Sequence, residues 1–257
     1  THWTAVGDVD RELHYLTPVA EYLTEVRAEF DRAETLLLRG LSRIDPDDPR
    51  RTRILYLLSR IKSKQGALQE AKDWAEQSCA LAERLNLPAE LTLSLRALGL
   101  VLTYEGAYAD AAACYEQSLA LTRQHDDKLL IARNLGSLGT VAAYQGNYAV
   151  AIQYLRQSLP LEQEIGAKAD MSTDLHNLGM IAHFQGNQPT AAEYLQQALA
   201  IRREVGDRRG VAETIYNLGA IALGLSDYPA AEDHIQQALH SFREVGDNRY
   251  PSHCLRA

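Results

Sequence analysis

Gly210 to Val245 reads GVAETIYNLGAIALGLSDYPAAEDHIQQALHSFREV, and forty residues earlier Asp170 to Val205 reads DMSTDLHNLGMIAHFQGNQPTAAEYLQQALAIRREV. Leu178-Gly179 lies over Leu218-Gly219, Ala191 over Ala231, and Ala198-Leu199 over Ala238-Leu239. A fixed period in this range marks stacked copies of one small unit, each burying its apolar face against its neighbours.

Working outward, the same register continues upstream. One series of turn residues runs Gly66, Gly106, Gly146, Gly186 and Ser226. Glycine just past a helix supplies the left-handed backbone conformation at little steric cost. Asn147, Asn187 or Asp227 follows in the last three units as a cap for the next helix. Pro189 and Pro229 fall in that helix's first turn, where a missing N–H costs little. A second series, Asn86, Asp126, Gly166, Gly206 and Gly246, holds residue types that tolerate positive φ. Each unit therefore reads as helix, tight turn, helix. Small residues mark close approach: Gly99, Gly139, Gly179 and Gly219 on the first helices, Ala71, Ala111, Ala151, Ala191 and Ala231 on the second.

The period covers about Arg50 to Asp247 as five units. Upstream, Leu13, Leu16, Val19, Ala20 and Leu23 keep helical spacing, and a second helix runs from Phe30 through Leu37, Leu41 and Ile44 to the Asp45–Pro49 stop. Residues 9–49 thus form a degenerate first unit. Thr1 to Asp8 is a lead-in, and Asn248 to Ala257 is the stub of a further helix. The expectation is one all-α domain over residues 1–257, excised from a longer protein.

Leu-Gly on the first helix, Gly146-Asn147-Tyr148 or Asp227-Tyr228 at the turn, and small residues with Leu on the second helix resemble the tetratricopeptide repeat. The forty-residue unit departs from the usual thirty-four and is similar to the variant in kinesin light chains and in sensor regions of bacterial signalling ATPases and transcription activators. The resemblance implies a right-handed α-solenoid whose first helices line a concave groove. It also implies that the groove or the convex ridge binds protein segments. The groove-facing positions then hold Arg96, Tyr104, Arg133, Ser137, Tyr144, His176, Asn177, Phe184, Tyr216 and Asn217.

The aromatic row Tyr104, Tyr144, Phe184 is either a stacking surface for a partner or packing between adjacent first helices. Asn177 and Asn217 either grip a peptide main chain, since a carboxamide both donates and accepts, or bond to neighbouring helices. Arg96 and Arg133 are candidates to clamp a carboxylate. His176 and His183 share a face without a further ligand at one-turn spacing, and read as polar lining residues rather than a metal pair. The Arg202-Arg203-Glu204 and Arg208-Arg209 stretches read as solvated helix ends.

The chain of 257 residues is 46% hydrophobic with a formal net charge of −8. The acidic balance argues against direct contact with nucleic acid. No apolar run reaches the roughly 18–20 residues that span a bilayer. Cys79, Cys114 and Cys254 have no metal-type spacing and read as reduced thiols of a cytoplasmic protein. Phosphate-loop, zinc-protease and nucleophile-elbow motifs are missing. The expectation is a non-catalytic protein-interaction module without cofactors, the scaffold or sensor segment of a larger regulator, binding a protein or peptide. Two alternatives stand beside it. One is self-association through solenoid ends over Ile215, Ile221 and Ile235. The other is a segment of a signalling ATPase or other enzyme whose active domain lies elsewhere.

Overall fold

The computed structural model describes residues 9–245; the lead-in Thr1–Asp8, Gly246, Cys254 and the stub Asn248–Ala257 lie outside the described residues. Twelve helices run in sequence among them: α1 Val9–Glu25, α2 Phe30–Leu41, α3 Arg50–Gln65, α4 Leu68–Arg84, α5 Pro88–Glu105, α6 Tyr108–Gln124, α7 Lys128–Tyr144, α8 Tyr148–Ile165, α9 Lys168–Phe184, α10 Gln188–Val205, α11 Arg208–Gly224 and α12 Tyr228–Glu244. They divide into two compact units, α1–α6 and α7–α12, on either side of the Asp127–Lys128 bond.

The turn chemistry follows the two residue series. Gly66, Gly106, Gly146 and Gly186 have φ of 81°, 80°, 76° and 79°, with Ser226 at 60°. Asn86 and Asp126 stand at 52°, and Gly166 and Gly206 at 70° and 77°. At each turn the next N–H folds back on the helix just ended, as where Asn147 N donates to Ala142 O at 2.9 Å. Asn187 and Asp227 cap α10 and α12 by accepting from Thr190 N and Ala230 N. Asn147 occupies the cap position of α8 without making that bond. Asp207 caps α11 by accepting from Gly210 N at 2.9 Å. Pro160 sits inside α8, where a proline removes one hydrogen bond of the helix ladder.

The two helices of a repeat touch where the small residues lie. A Cβ on Gly139 would come within 2.7 Å of Leu155, and one on Gly179 within 2.8 Å of Leu195. Ala71, Ala111, Ala151 and Ala191 are fully buried. In the first unit Leu16, Ala20 and Leu23 of α1 pack with Leu37 of α2 and with Ile54, Leu58 and Ile61 of α3. Val19, which shares their helical spacing in the sequence, is exposed. In the second unit Leu155 packs with Leu178 and Ile181, and Leu195 with Ile215, Leu218, Ile221 and Phe242. Fully burying one such side chain contributes roughly 1.5–3 kcal/mol. Ile215 and Ile221, read from sequence as a partly uncovered end, are buried by α12, and Ile235 is half-buried beside them.

Within each unit consecutive first helices approach one another: α1 and α3, α3 and α5, α7 and α9, α9 and α11. Side chains on their outward positions therefore share one face of that unit. Exposed ion pairs repeat at the turns, Lys128 with Glu164 and Lys168 with Glu204, forty residues apart. Exposed pairs of this kind contribute about 0–1 kcal/mol each.

Candidate partner-binding face and the buried polar layers beneath it

Arg96 and Tyr104 lie on α5 in the first unit; the other eight sequence-selected residues lie on α7, α9 and α11 in the second. Tyr104 is 60% exposed and Arg96 half-buried. On the second unit, Tyr144 at the end of α7 and Phe184 at the end of α9 are each 62% exposed. The aromatic row therefore lies on the surface rather than in packing between first helices. Tyr148, the first residue of α8, stacks on Phe184 with ring centroids 6.2 Å apart. That contact holds the Phe184 ring without covering it.

The polar residues of this face are anchored from below. Arg133 Nε donates to Asp170 Oδ2 at 3.0 Å, so α7 and α9 are tied at the rim. Ser137 Oγ donates to Arg133 O at 2.8 Å. Asn177 Nδ2 donates to Thr140 Oγ1 at 2.9 Å, and Thr140 Oγ1 donates to Gly136 O at 3.0 Å. Asn177 Oδ1 accepts no hydrogen bond among the described residues. Asn217 lies 3.2 Å from His176 Nε2. Tyr216 packs against the α11–α12 core.

His176 is held from its other side by Arg202, whose Nη1 lies 3.3 Å from His176 Nδ1. A guanidinium only donates, so Nδ1 accepts and the ring proton sits on Nε2. With the proton on Nε2, the Asn217 Nδ2 that stands 3.2 Å away is a second donor, and the carboxamide accepts from the ring only when turned over. Burial, with the neighbouring Arg202 charge, pushes the His176 pKa down to about 3, so the ring is neutral and fixed in one tautomer. His183 lies separately, with Nδ1 2.8 Å from Gln188 Oε1.

Sequence reasoning missed what lies under the face. Arg202, read as part of a solvated helix end, is 5% exposed. Its Nη1 donates to Gly210 O at 2.8 Å and to Thr214 Oγ1 at 2.6 Å. The correction has a physical reason: position 202 is the repeat equivalent of 122, 162 and 242, and Thr122, Glu162 and Phe242 are all buried. Arg203 and Arg208 are exposed, and Arg209 pairs with Glu213 at 3.2 Å.

One repeat earlier the same slot holds Glu162, 1% exposed, against Asp174, 4% exposed. Ser158 Oγ donates to Asp174 Oδ2. Glu162 Oε2 is buried without a hydrogen-bond partner. Burial pushes both carboxyls up, Glu162 to about 8, and the charges of Asp174 and Asp170 act on Glu162 in the same direction. The Glu162 carboxyl accordingly keeps its proton at neutral pH and donates it to Asp174. Gly136 makes room for this pair, since a Cβ there would come within 2.7 Å of Asp174 Oδ1.

Burial pushes the Cys79 thiol up to about 12 and raises that of Cys114, as expected of packing residues rather than nucleophiles. Among the described residues no group of three or more His, Cys, Asp or Glu is placed to hold a metal ion. No helix among them is long and apolar enough to cross a membrane.

No curated protein matches the sequence. Solved structures match over most of the chain. A Rap protein complexed with competence and sporulation factor aligns with a TM-score of 0.81 at 14% identity, over 94% of this chain and 68% of that one. NprR in complex with its cognate peptide NprX aligns at 0.75 and 14% identity, over 94% and 70%. BtubC from P. vanneervenii aligns at 0.63 and 18% identity, over 93% and 92%. At these identities the likeness is one of fold. The tetratricopeptide repeat profile matches residues 90–164 and 170–244, more than half of the chain. With the paired helices, the left-handed turn residues and the small contact positions at a forty-residue period, this chain is a member of the tetratricopeptide repeat family.

Proposed function

We propose that the chain is a non-catalytic protein-interaction module that takes a peptide or protein segment on the first-helix face of its second unit. It serves as a scaffold or sensor segment of a larger cytoplasmic regulator. The observation that carries this reading is the pair Tyr144 and Phe184, each 62% exposed at equivalent positions of α7 and α9. Large rings held on a soluble surface mark contact sites. Beside them, Asn177 Oδ1 offers an acceptor to a main chain of any sequence. Support from likeness is of fold only: the Rap and NprR structures were solved with competence and sporulation factor and with the peptide NprX.

The test is selection from a random displayed-peptide library, followed by titration of the enriched peptide. A Tyr144→Ala/Phe184→Ala variant, shown folded by circular dichroism, is expected to bind about 10–100-fold more weakly, as for buried aromatic anchors. Equal affinity for both proteins, or no enrichment at all, refutes the reading.

A further inference from the structure

The first unit begins on a helix with two apolar faces. Leu16, Ala20 and Leu23 of α1 are buried in the core shared with α2 and α3. Tyr15, Val19 and Tyr22, one place before each of these, are exposed by 53%, 44% and 53%, and Val26 by 66%. Val26 N donates to Tyr22 O at 3.0 Å, so the helical path runs on through that residue. The four exposed side chains stand at i, i+4, i+7 and i+11 and form one stripe down α1. Pro18, inside the same helix and also exposed, borders the stripe.

The stripe is the stacking edge of a first helix. On α3 the buried row Ile54, Leu58 and Ile61 has the spacing of Leu16, Ala20 and Leu23, and the residues one place before each are Arg53, Leu57 and Arg60. That edge of α3 faces α1: Arg53 Nη2 donates to Glu21 Oε1, Arg60 Nη2 to Glu25 Oε1 at 2.7 Å, and Lys64 Nζ to Glu25 Oε2 at 2.9 Å. The matching edge of α1 stands in water, with no described element over it. It is uncharged where the α3 edge is basic. A further first helix built like α1 would offer it carboxylates, which an apolar edge does not match. A spacing of four, three and four residues is the seam of two helices packed side by side.

We propose that this stripe is the contact of a two-fold dimer, with α1 lying antiparallel against α1 of a second copy of the chain. Antiparallel pairing about an axis between Val19 and Tyr22 sets Tyr15 opposite Val26 and Val19 opposite Tyr22. Each layer of the seam then joins one ring to one small side chain, the alternation of large and small that fills a contact without gaps. Parallel pairing would set ring against ring. The contact is isologous and closes at two copies. Two half-exposed tyrosines and two valines per copy fall well short of the roughly 800 Å² per partner of a stable interface. The dimer is therefore weak, with a Kd of about 10–100 µM. The stripe belongs to the first unit, and the proposal does not depend on what the face of the second unit binds.

The experiment is sedimentation velocity of the chain over concentrations that bracket this Kd, at low and high potassium chloride. The mass is expected to rise from monomer toward dimer, and to do so undiminished at high salt, as for an apolar contact. Two comparison proteins alter exposed positions only, and their folds are checked by circular dichroism. Val19→Glu/Tyr22→Glu brings like charges together across the axis and is expected to associate at least about tenfold more weakly. Val19→Glu/Tyr22→Lys reads the direction: antiparallel pairing sets its unlike charges opposite each other, whereas parallel pairing sets like against like. It is expected to associate more strongly than the first variant at low salt. A parent chain that is monomeric throughout overturns the proposal, as does a Val19→Glu/Tyr22→Glu variant that associates like the parent. Equal behaviour of the two variants overturns the antiparallel arrangement. A mass that climbs past the dimer overturns the two-fold contact, because open end-to-end stacking does not close.

Discussion

The buried Glu162–Asp174 pair gives the protein an unusual pH dependence, and its sign can be worked out. The Glu162 carboxyl titrates near 4.3 in an unfolded chain and is pushed up to about 8 in the fold by burial and by the charges of Asp174 and Asp170. Arg133, on the facing helix α7, acts in the opposite sense but less strongly. A folded pKa above the unfolded one contributes stability that is complete at low pH and lost as pH rises through the folded value. The slope is about 1.4 kcal/mol per pH unit for one proton. His176 acts the other way. Its folded pKa is depressed to about 3 against about 6.5 unfolded, so stability grows as pH rises toward 6.5.

Asp174, pushed up by burial to about 7 against about 3.9 unfolded, acts in the same sense as Glu162, so between about pH 5 and 6.5 the carboxyl pair outweighs His176 and stability already falls. From about pH 6.5 to 8 only the carboxyl pair acts, and about 2 kcal/mol is lost. For a chain of this size that corresponds to a fall in melting temperature of about 4–8 °C. The assay is urea unfolding followed by far-UV circular dichroism at half-unit pH steps. Glu162→Gln keeps the side-chain shape and donates an N–H to Asp174 without carrying the titrating proton. In that variant most of the loss between pH 6.5 and 8 should disappear, leaving only what Asp174 contributes. A parent protein whose stability is unchanged or higher at pH 8 than at pH 6.5 refutes the reasoning. So does a Glu162→Gln variant with the parent's loss.

Three other outcomes follow from the packing. Ala191 is fully buried between α9 and α10, so Ala191→Leu overpacks that contact and is expected to cost about 1–3 kcal/mol; an unchanged melting curve would contradict the helix register. Asn187 caps α10 through Thr190 N whereas Asn147 makes no such bond to α8, so Asn187→Ala should cost about 1 kcal/mol and Asn147→Ala distinctly less, as read by thermal melts of both. The Cys79 thiol, buried and pushed up to about 12, should react with an aromatic disulfide reagent at neutral pH only after denaturant is added, and rapid labelling of the native chain would contradict that burial.

Much of the scaffold is legible in the residues because repetition compares each position with its equivalents. Asn86 and Asp126 fall in the column that also holds Gly166 and Gly206, and all four adopt positive φ. Gly139 and Gly179 fall where a Cβ would strike Leu155 and Leu195. The face is less legible. Spacing places Tyr144 and Phe184 on first helices, but whether a ring at that spacing packs inward or stands in water depends on how far apart neighbouring helices end. The buried layer was legible only in the column, not in the local stretch. Arg202-Arg203-Glu204 looks like any charged helix end, and only its alignment with Thr122, Glu162 and Phe242 places Arg202 inside.

That column shows why the repeats of the second unit are alike in backbone but not interchangeable in chemistry. The slot on the second helix faces one residue on its own first helix and one on the next. At Glu162 the next first helix supplies Asp174, which fills the space beside Gly136; at Arg202 the two neighbours are His176 and Thr214. Each set works only as a whole. Gly136 must lack a side chain because Asp174 occupies the space beside it. His176 must carry one because its Nδ1 accepts from Arg202. Buried polar groups are costly unless every member has its partner, so a substitution at one place in a layer is disfavoured without matching changes at the other two. Tyr144 and Phe184, at outward positions on the same helices, are exposed and stand outside these layers. The second unit therefore separates a matched interior, which fixes how its helices stack, from an exposed face on which Tyr144 and Phe184 stand in water.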